Sequence, residues 1–228
     1  MNEKVVDERK VEKLTRWLKI SLVGILVLTV VGTIFLFVKR QSEQSEVAAY
    51  SLLFEAERME RDLGEGSNPF DPNFYKKMQA WSSEDQTAYK TALEKVVAEK
   101  SSTQAAQLAR LRLARLAYEA GEKELAYKML DEAKSGAEEA LIKAQALQTI
   151  GVFREDEQGL EKALEAFREA AAVKNSPLAP LSLLSEARVL RALNKSEDAK
   201  NIYQQVIEKY PNSLFERQAR ALNLMEAN

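Results

Sequence analysis

The stretch Leu113–Ala133, LARLAYEAGEKELAYKMLDEA, decides the fold because it contains two helical strips separated by a single glycine. Small residues at Ala114 and Ala126 allow two antiparallel helices to approach closely, with larger side chains filling the space beside them. Gly121 supplies a turn residue that tolerates a positive φ. One such hairpin predicts only a helical protein, whereas several copies predict a stacked repeat whose surface binds other proteins.

Related strips recur at a nearly constant interval. The second-helix strips begin at residues 89, 126, 163 and 199, so the intervals are 37, 37 and 36 residues, and the strip at 89 is weaker than the others. In the third copy Asn194 takes the turn position of Gly121, and asparagine is the next-best residue there. Gly151 takes a close-contact position in the second copy. A period in the mid-thirties with this pattern resembles the tetratricopeptide repeat, nominally 34 residues long, and the third copy matches best.

Capping signals predict where the flanking helices begin. Ser83 with Gln86 forms a capping box that opens a helix running to about residue 100. Ser213 with Glu216 forms another, and the following apolar stripe predicts a terminal capping helix over 214–226. Residues 176–177 are Ser-Pro, and we expect the first helix of the third repeat to begin there. If that helix tolerates Pro180 poorly, it begins at Pro180 instead.

The segment 20–38, ISLVGILVLTVVGTIFLFV, is 19 residues long and carries no charge. As a helix it is ~28 Å long, about the thickness of a bilayer's hydrocarbon core. No small-x-small cleavage site and no lipobox cysteine follows, so a transmembrane helix is predicted rather than a cleaved signal peptide. The basic residues place the N-terminus in the cytoplasm, because six precede the span and two follow it. They are Lys4, Arg9, Lys10, Lys13, Arg16 and Lys19 before it, and Lys39 and Arg40 after it.

The sequence therefore predicts an all-α, single-pass protein of a bacterial inner membrane with its C-terminal domain in the periplasm. The stalk prediction rests on Val47, Tyr50, Leu53 and Phe54, which recur at helical spacing. The predicted parts are a cytoplasmic tail at 1–19, a transmembrane helix at 20–38, a stalk helix and aromatic, proline-containing loop at 39–82, and tetratricopeptide-like repeats with a capping helix at 83–228.

Composition argues against catalysis and nucleic-acid binding. The chain has no Cys and no His, which removes thiol and imidazole catalysis, their metal ligation and disulfides. The net charge is −2, and no phosphate loop, nucleophile elbow or metal-ligand spacing occurs. The acidic clusters at 138–139 and 155–157 are expected to be solvated or to complement helix dipoles. We therefore expect no enzyme activity, catalytic residue, metal, cofactor or small-molecule substrate.

Two stretches, QLARLRLARLAYEAGEKELAYKMLDEA and SPLAPLSLLSEARVLRALNKSEDAKNIYQQVI, together with the membrane anchor, resemble the YfgM-type tetratricopeptide proteins. These are ancillary subunits of the bacterial Sec translocon. The resemblance implies two partners, the SecYEG channel and a membrane-anchored periplasmic chaperone of the prolyl-isomerase type. It also implies that the exported domain helps newly translocated chains. The loop at 64–81 is longer than this architecture leads us to expect. The alternative is a structural adaptor for outer-membrane biogenesis or cell division.

Two partner-binding surfaces are predicted. In tetratricopeptide folds the first helices line a concave face, and leucines beside arginines there suit an extended acidic and apolar peptide. The predicted lining is Leu108, Leu111, Arg115, Tyr118, Gln145, Gln148, Val152, Leu181, Leu184, Arg188 and Arg191. The alternative is that the leucines are core residues and that the arginines pair with nearby acids. The second surface is the loop, where Phe70, Phe74 and Trp81 either anchor a partner or tuck onto the helical core.

Overall fold

The computed structural model describes residues 2–64 and 81–225, and within these residues the chain is helical with no strand. The prediction of an all-α chain is confirmed for this part. The helices are α1 (Asn2–Gly64), α2 (Ser83–Glu99), α3 (Gln104–Glu119), α4 (Lys123–Gly136), α5 (Ala140–Asp156), α6 (Leu160–Ala172), α7 (Ala179–Ala192), α8 (Ser196–Lys209) and α9 (Leu214–Met225).

The first compact unit, Met1–Val47, contains the N-terminal part of α1. The apolar side chains whose burial is described in the segment 17–38 are exposed, for example Trp17 at 72% and Phe37 at 69%. The hydroxyls of Thr29 and Thr33 donate to carbonyls one turn back, at 2.8 Å in each case, so these polar groups are satisfied within the helix. By length and composition the helix is able to cross a membrane, with a mean hydropathy of 2.7 over its most apolar window.

The second unit, Ala48–Asn228, contains the rest of the chain. Each helix from α2 to α9 packs on the next one, and α3, α5, α7 and α9 also contact one another in that order. Main contacts between neighbours, with smaller ones between next neighbours, are typical of a solenoid, in which each hairpin stacks on the previous one. The pairs α3/α4, α5/α6 and α7/α8 are the three predicted repeats.

The turns inside the three repeats have one geometry. Gly121 and Asn194 have φ values of 83° and 60°, as the sequence predicts, and Gln158 has 61° at the equivalent place. After each left-handed residue the next amide donates to a carbonyl five residues back. The three bonds, from Glu122 to Ala117, Gly159 to Arg154 and Lys195 to Leu190, are all 2.8 Å long. This arrangement satisfies helix-end carbonyls, and three residues separate the two helices of each repeat.

Small residues hold the hairpins together. The predicted packing residues Ala114, Ala126, Ala163, Ala187 and Ala199 all have 0% exposure. Gly151 faces the ring of Phe167 so closely that a Cβ there would lie 2.5 Å from Phe167 Cε1. The predicted close-contact role of Gly151 is therefore confirmed.

The predicted capping signals are confirmed in part. The Glu216 amide donates to Ser213 Oγ at 3.0 Å, and α9 begins at Leu214. The Glu216 carboxylate accepts from the amide of Asn212 rather than from that of Ser213. The cap of α2 is Ser82, not Ser83, since Ser82 Oγ accepts the Asp85 amide at 3.1 Å. Helix α7 begins at Ala179, and Pro180 lies in its first turn, where a missing N–H costs no helical bond.

Residues 48–64 of α1 pack against the repeats, although the sequence predicts a stalk. Ala49, Leu53 and Ala56 are at most 1% exposed and share a core with α2 and α3. Of the four residues on which the stalk prediction rests, Leu53 is buried, whereas Val47, Tyr50 and Phe54 are exposed at 72%, 41% and 54%. The physical reason is that close helix packing selects alanines, whose small side chains leave room for the neighbouring backbone.

Candidate functional site

The first helices of the three repeats, α3, α5 and α7, form neighbouring layers. Gln148 on α5 hydrogen-bonds to Ser182 and Ser185 on α7, and Tyr118 on α3 bonds to Asp156 on α5. These links join residues 34 to 38 apart, close to one repeat period. Residues one repeat apart are therefore neighbours across the layers.

This register defines a surface that we call the first-helix face. It consists of two rows, Leu108, Gln145 and Leu181 in one, and Arg115, Val152 and Arg188 in the other. Val152 and Leu181 are exposed at 45% and 38%, Arg188 is exposed, and the other three are half-buried. The face thus presents apolar side chains in both rows and arginines in the second row, and its role in binding a partner stays a prediction.

Two predicted lining residues belong to the core instead. Leu111 is 4% exposed and lies in the cluster shared by α3, α4 and α5, and Leu184 is 6% exposed in the cluster of α6 to α9. Both leucines are buried in these clusters, so they contribute packing rather than accessible surface. This corrects their assignment as partner-binding residues.

Gln148 also has an internal role. Its amide nitrogen donates to Ser185 Oγ at 2.9 Å, and its oxygen accepts from Ser182 Oγ at 2.9 Å. Both ends of the amide are thus occupied between α5 and α7. Gln148 therefore contributes to the contact between repeats; it is half-buried, and its place in a binding surface stays a prediction.

The arginines differ in their surroundings. Arg188 holds Glu155 with two bonds, Nε to Oε1 at 3.0 Å and Nη2 to Oε2 at 2.6 Å, as the alternative interpretation expects. The Arg188 side chain remains 56% exposed in this pair. Such exposed pairs contribute ~1 kcal/mol or less, so a partner's carboxylate can compete with Glu155. Arg115 is half-buried, and Arg191 is exposed.

Tyr118 belongs to a group at the end of the first two repeats that we call the aromatic joint, which consists of Tyr118, Tyr127, Phe153, Arg154, Asp156 and Glu157. The Tyr118 and Phe153 rings are stacked with their centroids 3.8 Å apart. The Tyr118 hydroxyl donates to Asp156 Oδ2 at 2.9 Å and lies 3.2 Å from the Phe153 carbonyl oxygen. Tyr118 is half-buried in this group, and its contact with a partner stays a prediction.

The second half of the joint is built around Tyr127 on α4. The Arg154 guanidinium lies 3.9 Å from the Tyr127 ring centroid, and the Tyr127 hydroxyl donates to Glu157 Oε2 at 3.1 Å. Burial, together with the carboxylates that accept their protons, raises the pKa of both Tyr118 and Tyr127 well above the usual value. The acidic run 155–157, expected to be solvated, thus bonds to side chains of three other helices.

Sequence reasoning missed the aromatic joint because no local motif marks it. The two tyrosine–carboxylate hydrogen bonds of the joint join residues that are 30 and 38 positions apart, Tyr127 with Glu157 and Tyr118 with Asp156. In the sequence, only the repeat period indicates that these residues lie close together. An open groove of about 990 Å³ lies beside the joint, but charged side chains of both signs line it, so it favours neither sign of ligand.

The loop surface is described only at Trp81. Trp81 is 8% exposed and meets the Tyr89 ring edge-on with centroids 5.5 Å apart, inside the core shared by α1, α2 and α3. Trp81 is therefore a core residue, as the alternative interpretation of the loop expects. Phe70 and Phe74 lie outside the described residues.

Comparison with known proteins identifies the class of the fold. A tetratricopeptide-repeat family model matches residues 182–213, which cover most of α7, all of α8 and the turn before α9. This is the third repeat, the copy that the sequence predicts to match best. A search of curated protein sequences returns no match. The chain thus contains a tetratricopeptide repeat, and repeats of this class indicate a scaffold for protein–protein interaction.

Proposed function

We propose that the protein is a non-enzymatic scaffold anchored in a bacterial inner membrane, with its repeats in the periplasm, that serves as an ancillary subunit of the Sec translocon. In this role it links the SecYEG channel to a membrane-anchored prolyl-isomerase-type chaperone or to newly translocated chains. The resemblance to the YfgM-type proteins supports the choice of partners. The uncharged helix at 20–38 and the excess of basic residues before it support the anchor and its orientation.

The observation that carries the proposal is the exposure of apolar side chains on the first-helix face. Val152 is 45% exposed and Leu181 is 38% exposed, and the register places the exposed guanidinium of Arg188 beside Val152. A chain emerging unfolded from a membrane channel presents apolar side chains and free carboxylates. Apolar contact with the leucine and valine and carboxylate binding by Arg188 would hold such a segment without requiring one sequence.

The experiment that tests this function is co-purification of the tagged full-length chain from chemically cross-linked bacterial membranes. We compare the unmodified chain with a Val152→Glu/Leu181→Glu variant, because two carboxylates on the first-helix face would repel acidic clients and remove apolar contact. A Lys128→Glu/Glu165→Lys variant, which changes two exposed residues of the second helices, is the matched control.

The proposal predicts that SecYEG subunits co-purify with the unmodified chain and with the control. The face variant should lose newly translocated chains and retain its folded helical content. Recovery of outer-membrane assembly or cell-division proteins in place of the translocon would contradict the proposal and support the adaptor alternative. Equal recovery of clients by the face variant would contradict the role of the first-helix face.

A further inference from the structure

A buried carboxylate lies where α1 meets the repeats. Glu60 is 2% exposed and belongs to the segment 48–64, which packs on α2 and α3. The Tyr89 hydroxyl donates to its Oε2 at 3.2 Å. Its other oxygen, Oε1, is buried and has no hydrogen-bond partner. One hydrogen bond from a neutral hydroxyl is little compensation for removing an ionised carboxylate from water.

The nearest cation is already committed to another acid. Arg112 on α3 is 8% exposed, and its Nη2 donates to Glu57 Oε1 at 2.7 Å. Its Nε is 3.8 Å from Glu60 Oε2, which is beyond hydrogen-bond distance, and both Nε and Nη1 lack hydrogen-bond partners. Two carboxylates thus share one buried guanidinium, and the more deeply buried carboxylate has the weaker contact with it.

The groups that face Glu60 come from three helices. They are Glu57 and Arg61 on α1, Tyr89 on α2 and Arg112 on α3. Arg61 is exposed, so water screens its charge. Burial raises the pKa of Glu60 above its ordinary value of 4.5, and this effect outweighs the opposing attraction of Arg112 and the hydrogen bond from Tyr89.

We propose that the contact of residues 48–64 with α2 and α3 is a pH-sensitive clasp, which is tight when Glu60 is neutral and weakens when Glu60 ionises. Its sign follows from proton linkage. Glu60 binds its proton more tightly in the docked segment than in the free segment. Docking is therefore strongest below the ordinary pKa of Glu60 and is lost as pH rises through the raised pKa of the docked state. Because one proton is involved, the docking equilibrium constant changes by at most ~tenfold per pH unit.

The chain has no cysteine, so two cysteines can be introduced for spin labelling without first removing native ones. Exposed Ser51 on α1 and exposed Lys95 on α2 are changed to cysteine in the full-length chain, which is held in detergent with enough urea to undock part of the population. Electron–electron double resonance then gives the docked fraction as a function of pH. In the parent chain this fraction should fall as pH rises above 4.5.

A matched pair of variants identifies the titrating group. Glu60→Gln keeps the shape and the acceptor for Tyr89 but cannot ionise, so its segment should dock at neutral pH at least as well as in the parent, without pH dependence. Glu57→Gln removes the 2.7 Å ion pair with Arg112, so its segment should dock less than the parent's at neutral pH, and its docked fraction should still fall as pH rises.

Three results would overturn the proposal. They are a parent chain whose docked fraction does not fall with rising pH, a Glu60→Gln chain that undocks or misfolds at neutral pH, and a Glu57→Gln chain that alone loses the pH dependence. The second result would mean that the ionised Glu60 stabilises the contact, and the third would assign the titration to Glu57. Circular dichroism of both variants distinguishes undocking from loss of the whole fold.

Discussion

The ring of Phe167 on α6 lies directly against the backbone of Gly151 on α5, where a Cβ would be 2.5 Å from Phe167 Cε1. Phe167 is fully buried, and its cluster also contains α7 and α8 residues such as Ala187 and Tyr203. A single missing side chain therefore sets the separation of the two helices in the second repeat.

Replacing Gly151 with alanine should destabilise the second repeat by ~1–3 kcal/mol, because the new methyl group overpacks a full core. Urea denaturation followed by circular dichroism measures this cost. Phe167→Leu combined with Gly151→Ala should restore part of the loss, since the smaller side chain makes room. Glu165→Ala, an exposed change on the same helix, should stay within ~0.5 kcal/mol of the parent. An unchanged midpoint for Gly151→Ala would contradict the packing described.

The left-handed turns lead to a second prediction. Gly121→Ala should cost ~1 kcal/mol because an L side chain is strained at a φ of 83°. Asn194→Gly, at a φ of 60°, should be close to neutral because glycine adopts that conformation freely. The midpoints of urea denaturation of the two variants test this pair. Equal losses in both would show that side-chain contacts, rather than backbone strain, determine the turn residues.

The local part of the fold is predictable from sequence because it depends on nearest neighbours. Gly121 and Asn194 in the turns and Ser213 at the last cap each act within five residues along the chain. The docking of 48–64 is not predictable in this way. Ala49 and Ala56 give no strong hydrophobic signal, and their partners on α2 and α3 come after an intervening loop.

The candidate site is predictable only as a set of helix faces. Spacing places Leu181 and Leu184 on one helix three residues apart, yet one is 38% and the other 6% exposed. The difference comes from the neighbouring helices α6 and α8, whose positions depend on contacts distant in sequence. Gln148 is a similar case, since its two serine partners are 34 and 37 residues away.

The aromatic joint should make stability depend on alkaline pH. The Tyr118 hydroxyl donates to Asp156, and its pKa is raised in the folded protein. Its contribution to the free energy of unfolding is therefore complete below the ordinary pKa of 10.0. That contribution is lost as pH rises through the higher pKa of the folded state. Tyr118→Phe should cost ~1 kcal/mol at neutral pH and should flatten the loss of stability above pH ~10.

Thermal unfolding from neutral to strongly alkaline pH measures this effect. The control variant is Tyr210→Phe, because the structure shows no hydrogen bond from the Tyr210 hydroxyl to a carboxylate among the described residues. The control should retain the alkaline loss of stability seen in the parent. A Tyr118→Phe chain with the parent's pH profile would show that the joint does not hold the hydroxyl in its neutral form.

The proposed membrane orientation can be tested with single cysteines, because the chain has none of its own. Glu208→Cys lies on an exposed part of α8, and Asn2→Cys lies before the apolar segment. In cells with a permeabilised outer membrane, an impermeant maleimide should label position 208 at once and position 2 only after lysis. The reverse pattern would contradict the cytoplasmic N-terminus, and recovery of the chain in the soluble fraction would contradict the anchor.

The central claim is that the first-helix face, with Val152 and Leu181 at its centre, contacts other proteins. Its most direct test is the yield of photo-crosslinks in living cells from a photoreactive amino acid placed at 152 or 181, compared with 128 or 165 on the second helices. The account predicts strong crosslinks to other proteins from the first two positions and weak ones from the other two. Equal yields from all four positions, or strong crosslinks from 128 and 165 alone, would contradict it.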